Sequence, residues 1–219
     1  SQRMDISNDG RVEVPGGGRL VAIKPNNSND GLYIGDRGAG TFDQMGGRLD
    51  VTGNTWIGIK GNDGLGAEGF GNYNQIAGNA YLNGNVFIAQ YGKGAWTRHS
   101  GDAGVTGDLR AGVEATGTGV YTQLGGRTHV LKTPTGTGGN LVVGQSGKGV
   151  FTLDDGSFTA ASGVNVGEND TEHVNTLSVN GGEFNSNGHI RVGWPGKGVM
   201  TGAGGQGAAG RPVVFGQAS

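Results

Sequence analysis

Residues 143–159 read VGQSGKGVFTLDDGSFT: three glycines around Lys148, an apolar–polar alternation, then a second glycine turn at Gly156. Gly144, Gly147 and Gly149 have the look of a phosphate-binding loop, but such a loop hands its ligand to the N-terminus of a helix. Gly149 instead leads into Val-Phe-Thr-Leu, which alternates with period two, as a half-buried strand does. The stretch therefore reads as two corners joined by a strand.

The same unit recurs along the chain. Gly149 and Gly156 stand seven residues apart, as do Gly10 and Gly17, Gly40 and Gly47, Gly71 and Gly78, Gly94 and Gly101, Gly119 and Gly126, and Gly198 and Gly205. Asn175 and Gly182 make the eighth copy, with asparagine standing in as a residue that tolerates left-handed backbone. First positions lie 23–31 residues apart. Two residues after each stands a large apolar or aromatic side chain: Val12, Phe42, Tyr73, Trp96, Tyr121, Phe151, Leu177 or Met200. The next residue is polar every time: Glu13, Asp43, Asn74, Thr97, Thr122, Thr152, Ser178, Thr201.

A second column appears later in each copy: Ile34, Ile57, Ile88, Ala111, Val143, Val166, Val192 and Phe215, most of them followed by glycine. Two residues earlier stand Leu32, Thr55, Val86, Leu109, Leu141, Val164, Ile190 and Val213. A third short strand between the columns fits Leu49 and Val51, Ala103 and Val105, and Phe158 and Ala160. Units of this length, each built of two or three short strands, indicate a solenoid; propeller blades are longer and carry four strands. The expected fold is all-β: a right-handed parallel β-helix of about eight coils, spanning residues 1–219 as a single β-solenoid domain. At about 4.8 Å per coil, eight coils make a rod of roughly 40 Å.

Composition agrees. Of 219 residues 50 are glycine and only 33% are hydrophobic, which suits a narrow interior with many corners. A net charge of −2 gives no basic field for nucleic acid, and no stretch is long and apolar enough to enter a membrane. With no cysteine there are no disulfides or thiolate metal sites. The start, SQRMDISNDG, does not read as a signal peptide, and the chain is expected to be a segment or subunit of a longer assembly.

Val143-Gly144-x-x-Gly147-Lys148-Gly149-x-Phe151-Thr152-Leu153, ending in Gly156-Ser157, resembles the repeats associated with type V secretion (autotransporter) and PEP-CTERM proteins. So does Val192-Gly193-Trp194-Pro195-Gly196-Lys197-Gly198. The resemblance covers most of residues 10–205 and is closest over 140–202. It implies a right-handed β-helix and an extracellular or cell-surface location in a bacterium, and it implies no activity.

Several groups qualify as candidate sites. Glu168, Asp170, Glu172 and His173, in the acidic loop 167–174, offer ligands for a hard cation such as calcium; the alternative is a solvated loop. Asn29-Asp30-Gly31 and Asn62-Asp63-Gly64 have similar donors. Lys93, Lys148 and Lys197 share one corner, and Arg19, Arg48 and Arg127 another, as weak basic lines for anionic glycans. Glycoside hydrolysis needs two carboxylates about 5–9.5 Å apart, and only Glu13 and Asp43 share a column on adjacent coils. His99, His129, His173 and His189 occupy different repeat positions, and the threonine column is too broken for an ice-binding face. The expected function is therefore non-enzymatic and without cofactor: an extracellular fibre, adhesin or biofilm-matrix subunit that joins copies of itself end to end. The alternative is a glycan-binding or glycan-cleaving module that meets surface polysaccharide through the 59–70 and 167–174 loops.

Overall fold

The computed structural model describes residues 4–6, 10–23, 30–36, 38–59, 69–169, 171–203, 206–209 and 213–215. It is an all-β solenoid with three parallel sheets and no helix among these residues, and hence none long and apolar enough to cross a membrane. The chain visits the sheets in strict rotation. The early sheet contains Gly10–Val14, Ala39–Gln44, Phe70–Gln75, Lys93–Arg98, Thr118–Gln123, Lys148–Leu153, Asn175–Val179 and Gly198–Gly202. The middle sheet contains Arg19–Ile23, Arg48–Thr52, Asn79–Asn83, Asp102–Thr106, Arg127–Leu131, Ser157–Ala160, Glu183–Ser186 and Gln206–Ala209. The late sheet contains Met4–Ile6, Asp30–Ile34, Asn54–Ile57, Val86–Ile88, Leu109–Ala111, Leu141–Val143, Val164–Val166, Ile190–Val192 and Val213–Phe215.

Register turns each sequence column into a physical row. Val12, Phe42, Tyr73, Trp96, Tyr121, Phe151, Leu177 and Met200 are successive neighbours across the early sheet. Ile34, Ile57, Ile88, Ala111, Val143, Val166, Val192 and Phe215 are neighbours across the late sheet, and Ile6 precedes them. From Phe42 to Phe151 the rings are fully buried, with successive centroids 5.1, 5.2, 5.3 and 4.9 Å apart. Phe158 and Phe184 of the middle sheet close the packing against Phe151 from the side. Each buried ring contributes about 1.5–3 kcal/mol by leaving water, and stacking adds roughly 0.5–1.5 kcal/mol.

The glycines of the repeat do two different jobs. Among the described residues those in second place have left-handed backbone, as at Gly101 (φ +82°), and form the corner between early and middle strands. Those in first place do not. At Gly94, a Cβ would lie 2.2 Å from the carbonyl oxygen of Ile57 on the previous coil. First place needs a missing side chain so that two backbones can approach. This corrects the reason expected for Asn175: it has no left-handed backbone to tolerate. Its side chain turns back into the coil, where Oδ1 accepts the amide of Gly149 at 2.6 Å.

Five successive corners before late strands are tied by a ladder of short polar side chains. Asn54 Oδ1 accepts the amide of Asn85, Asn85 Oδ1 that of Asp108, Asp108 Oδ1 that of Asn140, and Asn140 Oδ1 that of Gly163. Each bond joins one coil to the next and satisfies an amide that the sheet ladder leaves over.

Candidate functional site

The charged groups singled out in the sequence are mostly tied to one another. Glu13 and Asp43 are neighbours in register, but Arg11 Nε donates to Asp43 at 2.6 Å and Asn74 Nδ2 donates to it at 2.7 Å. The same guanidinium lies 3.9 Å from Glu13. The two carboxylates form an ion cluster and do not face each other across a cleft. Asp50 takes both Arg19 and Arg48, at 2.8 and 2.7 Å, and Asp102 takes Arg127 at 3.1 Å. The hydrogen bond from Arg48, ahead of that from Arg19, holds the Asp50 carboxyl below its ordinary range. The basic line at this corner is thereby largely neutralised. Lys93 and Lys148 share a row with Thr118 between them.

Among the described residues no three His, Asp or Glu side chains gather as a cation site. Glu168, Glu172 and His173 are therefore not brought together as one, and Asp170 lies outside the described residues. Residues 60–68, which include Asn62-Asp63-Gly64, lie outside them too, as do Asn29 and Gly205. At the edge of that insert Ile59 is buried and Phe70 is exposed, with the Lys93 ammonium 5.0 Å from its ring centroid.

Two features escape the sequence reading. The first is inside. One step beyond the polar column the row turns inward again and reads Val14, Gln44, Gln75, Arg98, Gln123, Leu153, Val179, all buried. The four polar members reach backbone carbonyls at or just after the corners. Gln75 Nε2 donates to Gly78 O, Arg98 Nη2 to Gly101 O and Gln123 Nε2 to Gly126 O, at 3.0, 2.9 and 3.0 Å. Gln44 Nε2 donates to Asn79 O. Arg98 is completely buried and pairs with no carboxylate; Nε donates to Gln75 Oε1 and Nη1 to Thr128 Oγ1. The Tyr73 and Tyr121 hydroxyls join this network through Gln44 and Gln123. Burial pushes both phenols well above their ordinary value, partly offset by the Arg98 charge. Period two alone points to this row, since residues two beyond a buried ring face the same way.

The second is outside, on the middle sheet. Its outward row runs Asp50, Tyr81, Gly104, His129, Thr159, Asn185. Gly104 sits in mid-strand, and a Cβ built there meets nothing within 4 Å. The row therefore has a gap one side chain wide, which opens a groove of about 460 Å³. Tyr81 and His129 stand on either side, Asn83, Thr106 and Leu131 lie along one edge, and the Asp102–Arg127 pair lies along the other. Arg48, one coil back, covers one face of Tyr81 with its guanidinium carbon 4.2 Å from the ring centroid. The tyrosine is still 38% exposed and Leu131 45%.

Comparison with protein-family models, with curated proteins and with solved structures finds no match for this chain.

Proposed function

We propose that the chain is a non-enzymatic structural solenoid, a segment or subunit of an extracellular bacterial fibre, adhesin or biofilm matrix that extends end to end. One observation carries this reading. Within the described residues, the strands Met4–Ile6, Gly10–Val14 and Arg19–Ile23 each have a partner on one side only, and so do Gly198–Gly202, Gln206–Ala209 and Val213–Phe215. All three sheets thus present a parallel edge at both ends, and a strand edge is a template for further pairing. A second copy, or more of the same solenoid, supplies matching edges with the same three-sheet cross-section. The surface location and bacterial source rest on the resemblance of residues 140–202 to secreted repeat proteins.

Sedimentation velocity across a protein concentration series tests the assembly step. End-to-end joining predicts species that grow with concentration as integer multiples of the 22.1 kDa chain. A single monomeric species at every concentration contradicts it.

A further inference from the structure

We propose that the Gly104 groove is a saccharide-binding site whose occupant is a neutral pyranose ring of an oligosaccharide, held between Tyr81 and His129. The proposal goes beyond the structural role and does not depend on it.

The spacing argues for the ring. Tyr81 and His129 flank Gly104 on the two adjacent strands, so their backbones are two strand separations apart, roughly 9.6 Å. A planar ring sandwiched between two flat groups needs about 7 Å, at roughly 3.5 Å per face. A puckered, hydrogen-bearing ring contacting both walls at about 4–4.5 Å needs 8–9 Å. The slot therefore fits a sugar chair better than a nucleobase or an aromatic side chain. Arg48 already occupies the far face of Tyr81, which leaves the face toward Gly104 as the one open for stacking.

The rim argues for hydroxyls and for neutrality. Asn83 and Thr106 provide a donor–acceptor amide and a hydroxyl beside the slot. Asp102 and Arg127 are bridged at 3.1 Å, so the other edge offers carboxylate and guanidinium hydrogen-bonding groups without net charge. Leu131 supplies an apolar patch for the ring's C–H face. An apolar wall with a few convergent polar groups is the usual make-up of a small-ligand site.

The test uses the whole chain, with backbone amides followed by NMR during titration with cellohexaose, chitohexaose and maltohexaose in turn. The expected result is saturable shifts centred on Tyr81, Gly104, Thr106 and His129 with at least one of the three sugars. Gly104→Leu fills the slot in a backbone that accepts a side chain, and it should weaken that binding at least tenfold while the thermal melt is unchanged. Tyr81→Ala removes one wall at an exposed position and should do the same, which keeps the test valid if the leucine variant folds poorly. Thr122→Ala, on the outer face of the early sheet, should leave binding unchanged. The proposal is overturned if none of the sugars shifts these amides at millimolar concentration, if the shifts map elsewhere, or if both groove variants bind as the parent does.

Discussion

Thr55 interrupts an apolar row. Its neighbours in register, Leu32, Val86, Leu109, Leu141 and Val164, are all buried aliphatics, while the Thr55 hydroxyl is buried without a hydrogen-bond partner. Thr55→Val keeps the shape and removes the desolvated group, so it should stabilise the fold by about 1 kcal/mol. Thermal melting followed by circular dichroism should then show a rise of roughly 2–4 °C. Arg98 is the opposite case, a buried charge that is retained because it makes three hydrogen bonds. Arg98→Gln regularises the row to four glutamines and should stay within about 1 kcal/mol of the parent, whereas Arg98→Leu leaves the buried Gln75 Oε1 unpaired and should cost about 1–3 kcal/mol in urea denaturation. The buried phenols set an alkaline limit. Their native pKa values lie above the unfolded value of 10.0, so their contribution is intact below that pH. Above it the unfolded chain gives up the protons first, and stability should fall by about 1.4 kcal/mol per pH unit for each phenol. Melting temperatures that stay flat from pH 9 to 11 would contradict the buried, protonated assignment.

The early and late strands are legible from the chain because each carries one large inward side chain at fixed distance from a glycine. The middle strand is fainter, because its inward row includes Ala80, Ala103 and Thr128, which are too small or too polar to stand out. Gln44, Gln75 and Gln123 stand two residues beyond a buried ring, so period two points them inward, but their polarity and a glycine within three positions mask them in the sequence, and the register is what gathers them into one buried row. Gly104 is one glycine among 50, and its run Asp-Ala-Gly-Val-Thr does not mark it out. Its meaning comes entirely from standing between Tyr81 and His129 on neighbouring coils. Corner glycines carry a sharp prediction of their own. At Gly101 the backbone is left-handed and a Cβ would lie 1.9 Å from the Gly78 carbonyl oxygen. Gly101→Ala should therefore cost about 3 kcal/mol or more, or prevent folding. At Gly16 nothing lies within 4 Å, and Gly16→Ala should stay within about 0.5 kcal/mol. Urea midpoints of the two variants compare them directly.

Over the whole molecule, each coil touches chiefly the coils before and after it, so stability accumulates coil by coil and leaves two ends to be satisfied. The interior is filled by stacked rings and a hydrogen-bonded polar row, and the outer faces carry ion clusters that compensate one another. Among the described residues the two ends keep three strand edges each, and it is there that the proposed structural role is located. Negative-stain electron microscopy of the purified chain over a concentration series tests that role most directly. End-to-end joining predicts filaments one solenoid wide whose lengths step in units of roughly 40 Å, the rise of eight coils. Dispersed rods of that single length at every concentration would contradict it.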